Sequence, residues 1–361
     1  MWIGTILSEC GLARCNFACI TWRIIRCGWI FASLLGQSRV WWGPSSMGME
    51  YARLGQGGPL VSRIAFGCEA LGGYDYGDVN HQELHGAVGK ALDLGINFFD
   101  TADVYGLGRS EEQLAMALGA RRHDVVIGTK FGVNWKENPD GSRALTVRDA
   151  SPRRVFEAVE GSLRRLRIES IPLYMIHWPD PDVPIADTMR ALIQCQREGK
   201  IQHIGYSNAD AATLVQAHRV GALSAVQVPY SIGRRMVERE IAPTCEKLGI
   251  GMVTYAALAH GLLTGKYDAS TSFPMSDRRH RLPEFQGAEL ERYLRIIERL
   301  REVSGRYGKT MAQVALRWVL DYPSTTVVVV GARTDQQVLE NVSALGWSLS
   351  ATDRAFLSEP G

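Results

Sequence analysis

Three residue types able to move a proton or hold a charge stand at the ends of short apolar runs. They are Asp100 in INFFDTA, Lys130 in DVVIGTK and His177 in IPLYMIH, and Tyr105 follows five residues after Asp100. A tyrosine hydroxyl, with an ordinary pKa near ~10, becomes a usable acid when a cation beside it stabilises the anion left behind. Lys130 would be that cation, and Asp100 would hold the lysine charged and oriented. His177 could donate a hydrogen bond to a carbonyl oxygen and fix its position. The four together suit a reaction in which an oxyanion develops and is protonated. Hydride addition to an aldehyde or ketone is such a reaction. No side chain donates hydride, so a nicotinamide is required. Taken singly, each residue has a plainer reading: Asp100 as a turn or cap residue, Lys130 as a solvated strand end, His177 as a satisfied core histidine, Tyr105 as packing. Their recurrence at successive run ends is what makes a constellation.

Elements that could bring such residues together follow from the runs themselves. Eight segments read as strands: 62–67, 96–102, 124–130, 171–177, 201–207, 225–231, 251–257 and 325–331. Each is short and rich in Val, Ile or aromatics, as parallel strands buried on both faces are. Amphipathic stretches separate them. HQELHGAVGKALDLG ends at Gly95, a plausible residue past a helix end. SPRRVFEAVEGSLRRL opens with Ser151 as cap and Pro152 in the first turn. Further helices are expected at 109–118, 184–198, 210–218, 237–247 and 310–320, and after the last strand behind Thr334. Eight such units over about 300 residues predict an α/β fold, a single (β/α)8 TIM barrel. A doubly wound sheet lacks its glycine fingerprint after the first strand. EYARLGQGGPLVSR reads as an N-terminal β-hairpin that caps the barrel floor. A long loop and helix insertion, 265–309, separates strands seven and eight.

In a barrel the chemistry belongs at the C-terminal strand ends. Ser207 and Asn208 end the fifth strand there, and Gln227 lies in the sixth. Tyr74, Tyr76, Trp135, Trp178 and the 265–285 loop would wall the pocket, with the insertion KENPDGSRALTVRD enlarging its rim. Those walls predict an apolar, aromatic-tolerant substrate site.

Bulk properties set the boundaries. Of 361 residues, 46% are hydrophobic and 22% charged, and 40 basic residues face 38 acidic ones. A net charge of +2 offers nothing to nucleic acid or an anionic membrane, so any anion site must be local. Four of the seven cysteines and five of the nine tryptophans crowd into residues 1–46. The rest of the chain has three scattered cysteines, as a reduced cytoplasmic protein would. The apolar stretch of the leader is broken by Arg23 and Arg26, which suits neither a membrane span nor a signal peptide. The leader's cysteine spacings lack the paired look of a zinc site, and no metal is expected. Residues 1–46 are read as an atypical segment, either upstream sequence ahead of a start at Met47 or Met49, or a disordered or weakly membrane-associated leader. Residues 47–361 are the barrel domain.

The motifs then carry a resemblance. INFFDTADVYGLGRSEEQLAMAL resembles the aldo-keto reductase signature around its catalytic Asp and Tyr. VVIGTKFG is similar to that family's lysine strand, LYMIHWPDP to its histidine segment and GKIQHIGYSN to its G-x-S-N segment. The likeness runs in order from about Met49 to Leu349. It implies Tyr105 as general acid, tuned by Lys130 and Asp100, with His177 orienting the carbonyl. It implies NADPH as cofactor, with NADH possible. Ser207, Asn208 and Gln227 would hold the nicotinamide carboxamide and Tyr255 would stack on the ring. Leu258, Gly261 and Lys266 match the pyrophosphate pattern, although Ala256 and Ala257 stand where the family usually carries Ser and Pro. Gly331, Arg333, Gln337 and Asn341, in GARTDQQVLEN, resemble the segment for the adenosine 2′-phosphate. Some relatives have Lys at the place of Gly331 and Arg at that of Gln337. The reaction implied is reduction of a small-molecule carbonyl to an alcohol, with no membrane partner. Two rivals stand beside it. One is a nucleotide-sensing, channel-subunit-like binding protein of the same fold with little turnover. The other is a lyase or isomerase using Lys130 as a Schiff-base amine, which the neighbouring Asp100 would oppose by keeping that lysine protonated.

Overall fold

The structure is a computed structural model that describes residues 48–73, 79–134, 147–275 and 277–360. The leader and the expected rim residues Tyr74, Tyr76 and Trp135 lie outside the described residues. Two short strands open the described chain, β1 (Tyr51–Arg53) and β2 (Leu60–Ser62), paired antiparallel with Arg53 opposite Leu60. Then come β3 (Ile64–Gly67), β4 (Phe98–Asp100) and β5 (Val126–Phe131). A minor hairpin follows, β6 (Val133–Asn134) with β7 (Val147–Arg148). The remaining strands are β8 (Ile171–Ile176), β9 (Ile201–Ser207), β10 (Ala225–Pro229), β11 (Gly251–Tyr255) and β12 (Thr325–Gly331). Apart from the two hairpins, all are parallel and close into a barrel of eight in chain order, β12 pairing back onto β3. Each expected strand is present, with ends that differ by at most two residues, the usual uncertainty of a terminus.

Helices return the chain between strands. They are α1 (His81–Asp93), α2 (Arg109–Leu118), α3 (Pro152–Leu166), α4 (Ile185–Arg197), α5 (Ala211–Val220) and α6 (Ile241–Leu248). The long α7 (Gly287–Tyr307) fills the insertion before α8 (Met311–Leu320), and α9 (Asp335–Val342) and α10 (Ala351–Leu357) follow. Caps mark their starts. The Ser151 hydroxyl accepts from Arg154 N with Pro152 in the first turn, and Thr310 and Gln313 form a reciprocal capping box. The sequence reading did not anticipate α10, a helix of seven residues begun by Ser350.

Two apolar layers hold the barrel. Outward residues such as Phe99, Ile127, Tyr174 and Ile176 pack under the helices against Leu84, Val88, Leu114, Val155 and Leu192. Inward residues Ala65, Phe98, Leu173, Met175, Ala225, Val253, Val327 and Val329 fill the interior. Full burial of such a side chain is worth roughly 1.5–3 kcal/mol. Glycines make room for the larger ones. A Cβ at Gly205 would lie 2.7 Å from Met175 Cγ, and one at Gly128 would lie 2.9 Å from Phe98 Cε2. The N-terminal hairpin plugs the floor, because its Leu54 and Val61 belong to the same interior cluster. Asn97 locks it in place: its Oδ1 accepts from Ser62 N at 2.7 Å and its Nδ2 donates to Leu60 O at 3.0 Å.

Candidate active site

Strand geometry dictates what stands at the barrel mouth. Side chains alternate with period two, so each inward apolar residue is followed, two positions on, by another inward residue. Phe98 leads to Asp100, Gly128 to Lys130, Met175 to His177, Gly205 to Ser207, Ala225 to Gln227 and Val253 to Tyr255. The interior stack is thus apolar until its last layer, and that layer is polar. At β3 and β12 the same step lands on Gly67 and Gly331, which pair directly. A Cβ at Gly331 would meet only Gly67 O, at 3.7 Å, so this part of the mouth is an open cradle without side chains.

The layer is connected by hydrogen bonds. Lys130, its side chain 1% exposed, donates through Nζ to Asp100 Oδ2 at 2.9 Å and to Thr101 O at 2.8 Å. Gln227 Nε2 donates to the other carboxylate oxygen of Asp100 at 2.8 Å. Such a buried ion pair returns little net stability. Its value here is to fix a cation against the tyrosine, and Lys130 Nζ lies 5.0 Å from the centre of the Tyr105 ring. Tyr105 and His177 meet edge to face, ring centres 5.8 Å apart at 82°. Tyr105 rides on the turn after β4, where its N donates to Ala102 O at 3.2 Å. His177 N donates to Phe131 O at 2.7 Å, which ties the end of β8 to that of β5. The structure therefore brings Asp100, Tyr105, Lys130 and His177 into one group.

A second group adjoins it. Asn208 Nδ2 donates to His177 O at 3.0 Å and to Ser207 Oγ at 3.1 Å, while Asn208 Oδ1 accepts from Tyr255 OH at 2.7 Å. Burial pushes the Tyr255 hydroxyl above its ordinary range, so it stays a donor. Ser207, Asn208, Gln227 and Tyr255 thus offer a hydroxyl, two amides and an aromatic ring in one place.

Beyond Tyr255 the chain enters a tight loop. Ala256, Ala259 and His260 have φ of 55°, 46° and 53°, before Gly261 at 93°. Left-handed backbone at three residues other than glycine is strained, and such strain gathers at ligand clamps. Lys266 packs beside this loop, and a Cβ on Gly261 would lie 3.4 Å from Lys266 Cε. Burial lowers the pKa of His260 to about 4, helped by the positive charges of Arg278, Arg234 and Arg279, so its ring is neutral at pH 7. These arginines together make a cationic surround. Arg278 also pairs with Glu69 at 2.5 Å, which links the long loop after β11 to the segment after β3. Sequence spacing held no sign of this link, since 209 residues separate the partners.

At the exit of β12, Arg333 N donates to Gln337 Oε1 at 2.7 Å, and Asn341 Nδ2 donates to Gly331 O at 3.4 Å. Gln337 and Asn341 do share a helical face, but here that face supports the backbone around Gly331 and Arg333. Of the four aromatic residues expected in the wall, Trp178 is the one among the described residues. It is 38% exposed, with the Arg148 guanidinium 5.3 Å from its ring centre.

The donor set fits a nicotinamide dinucleotide. The hydroxyl and amides of the second group match a carboxamide, Tyr255 offers a flat apolar face, and Lys266 and Arg333 offer cations to phosphates. The glycine cradle leaves room for close approach.

Comparison with known proteins places the chain in a family. The Aldo/keto reductase family matches residues 63–359. The aldo-keto reductase YhdN of Bacillus subtilis (strain 168) is 35% identical over 85% of this chain and 92% of its own length. Probable aldo-keto reductase 1 of Glycine max is 35% identical over 84% of this chain and 87% of its own. Among solved structures, a glycerol dehydrogenase from Gluconobacter oxydans superposes with a TM-score of 0.78 at 35% identity, over 86% of this chain and 94% of that one. An aldo-keto reductase from Bacillus halodurans, in its holo form, gives 0.71 at 27% identity, over 86% and 95%.

Proposed function

This chain belongs to the aldo/keto reductase family, and we propose that it reduces its carbonyl substrate with NADPH in preference to NADH, using Tyr105 as general acid. Carbonyl reduction by a nicotinamide-dependent oxidoreductase is the activity of the family. The observation that carries the finer reading is the buried Asp100–Lys130 pair set against Tyr105, with His177 at the same ring. The cofactor supplies the hydride. Tyr105 gives its proton to the oxygen that becomes the alcohol, and Lys130 stabilises the phenolate left behind. Asp100 keeps Lys130 oriented, and His177 holds the carbonyl oxygen in line. Ser207, Asn208 and Gln227 hold the carboxamide and Tyr255 covers one ring face, which leaves the other toward the substrate. Leu258, Gly261 and Lys266 take the pyrophosphate. Gly331 admits the adenosine end, where the Arg333 guanidinium meets the 2′-phosphate that NADH lacks, with Gln337 and Asn341 shaping that segment.

The substrate we propose is an aldehyde or ketone with an apolar or aromatic body. Four of the five large apolar side chains exposed among the described residues, Val147, Trp178, Met236 and Met275, lie on connections that follow barrel strands. Tyr74, Tyr76 and Trp135 would complete that wall. The glycerol dehydrogenase relative keeps small hydroxylated carbonyls in the comparison set. We place the reaction in the cytoplasm: Cys68, Cys195 and Cys245 are buried free thiols, as in reducing compartments. Among the described residues no helix is long and apolar enough to cross a membrane.

A kinetic panel of aryl, sugar and small aliphatic aldehydes, each with NADPH and NADH, tests the reading. The expected result is a higher kcat/KM with NADPH and with the aryl aldehydes. Equal kcat/KM for the two cofactors would remove the role given to Arg333.

A further inference from the structure

Behind the catalytic turn lies a buried charge cluster that none of these roles uses. Asp103 is 2% exposed at its side chain, and its Oδ2 accepts from Arg154 Nη2 at 2.7 Å. Its other oxygen, Oδ1, has no hydrogen-bond partner among the described residues, nor does Arg154 Nε. Three further groups surround the pair: Glu111 on α2, Arg165 on α3 and Tyr174 on β8. Glu111 is better satisfied than Asp103. It accepts from Thr129 Oγ1 at 2.6 Å and from Arg165 Nε at 2.7 Å, one bond to each oxygen. A carboxylate at this depth with one oxygen unpartnered is costly, so the site retains Asp103 against its own stability.

What Asp103 connects is the informative part. Its N donates to the carbonyl of Lys130 at 3.1 Å. It is also the second residue of the turn closed by Tyr105 N on Ala102 O. Arg154 lies in the first turn of α3, and the start of that helix is tied to the segment after β8. Ala150 N donates to Asp180 Oδ2 at 2.8 Å, three residues beyond His177, and Thr188 Oγ1 donates to Ala150 O at 2.7 Å.

We infer that the Asp103–Arg154 pair is a positioning device for Tyr105, bracing the turn that carries the acid against the helix anchored to the His177 segment. The inference rests on the role proposed for Tyr105 above. Asp103 is buried behind the turn and is assigned no contact with substrate or cofactor. It acts by holding the distance between the proton donor and the group that orients the carbonyl.

A pH signature separates this from a merely structural pair. Burial pushes the Asp103 carboxyl up to about 7, reinforced by Glu111 and opposed by Arg154 and Arg165. A carboxyl whose pKa is higher folded than unfolded, where it is near ~3.9, stabilises the fold fully at low pH. That contribution is lost as pH rises through about 7. The ionic brace, by contrast, exists only once the carboxyl is charged. Turnover per folded molecule therefore rises with pH where stability falls.

The test uses the full chain with NADPH and an aryl aldehyde. Asp103→Asn and Arg154→Met are expected to lower kcat about 10- to 30-fold, since small misplacements of reacting groups cost factors of this size. KM for the carbonyl and Kd for NADPH, read by fluorescence, stay within about 2-fold, and the acid limb of kcat near neutral pH disappears. Arg154→Lys can remake the single N–H···O bond and should recover most of kcat. An unchanged kcat and limb in Asp103→Asn would overturn the inference. So would a loss of kcat with the limb intact and NADPH binding equally weakened. If Asp103→Asn does not fold, Arg154→Met against Arg154→Lys gives the same reading, and equal kcat in these two overturns it. Tyr105→Phe runs alongside: full turnover there sinks the role of Tyr105 itself, whereas an inactive Tyr105→Phe beside an unaffected Asp103→Asn sinks the brace alone.

Discussion

The two ends of the barrel solve the same problems by different means. At the floor, Arg63 donates to the carbonyls of Leu320 and Thr325 at 2.8 Å and to that of Thr326 at 3.4 Å, with Glu50 at 3.4 Å. Its charge is used up on strand and helix ends. At the mouth, Lys130 has one carboxylate and one carbonyl, with the Tyr105 ring beside it. Backbone strain divides in the same way. Six described residues other than glycine have positive φ, and five of them, Leu107, Asn208, Ala256, Ala259 and His260, belong to connections at the mouth. Floor turns mostly use glycine for such positions, as at Gly55, Gly95, Gly199 and Gly249, the sixth residue, Arg167, being the exception. Glycine adopts that backbone without strain. The floor spends its charge on strand and helix ends, while the mouth holds strain and buried charge, as expected of the catalytic face of a barrel.

This contrast can be broken most forcefully at Tyr105. Tyr105→Phe is expected to cost about 10³ in kcat with the melting temperature nearly unmoved, and a stopped assay alongside a thermal melt reads both. Lys130→Met should hurt both properties, because among the described residues it leaves buried Asp100 with only Gln227 as side-chain partner. Unpairing a buried charge costs about 3–5 kcal/mol, measurable by urea unfolding. Gly55→Ala tests the opposite end. A Cβ there would sit 2.3 Å from Ser224 O at a φ of 70°, so a loss of about 2–3 kcal/mol is expected with kcat per folded molecule unchanged. Arg333→Ala should raise KM for NADPH about 10- to 30-fold and leave KM for NADH as it was, the size of one charge-assisted bond. The smallest effect is at Ala256→Gly, where relief of left-handed backbone should add about 0.5–1 kcal/mol of stability. No gain there would mean that the mouth is less strained than its dihedral angles imply.

Much of this was legible before any coordinates. The apolar runs put Asp100, Lys130 and Ser207 at their ends and Gln227 within one, and eight β-branched runs separated by capped amphipathic stretches admit few folds besides a closed parallel barrel; which side chains turn inward came only from the closed sheet. Ser151 and Thr334 announced helix starts because a cap is a local device. The short α10 escaped notice for the converse reason. Seven residues carry too little periodicity, and α10 forms because Leu357 finds a core to enter.

The sequence by itself determined the fold class, the residue types that reach the mouth and the order in which they arrive. Those properties depend on periods of two and 3.6 residues and on residue type, and they are written along the chain. The tertiary structure alone decided the pairings across it. Asp103 meets Arg154 over 51 residues of sequence, and Arg278 meets Glu69 over 209. Gln337 turns its amide to the backbone of Arg333. Such contacts depend on where helices and loops come to rest once the apolar layers have packed, and no local pattern encodes that.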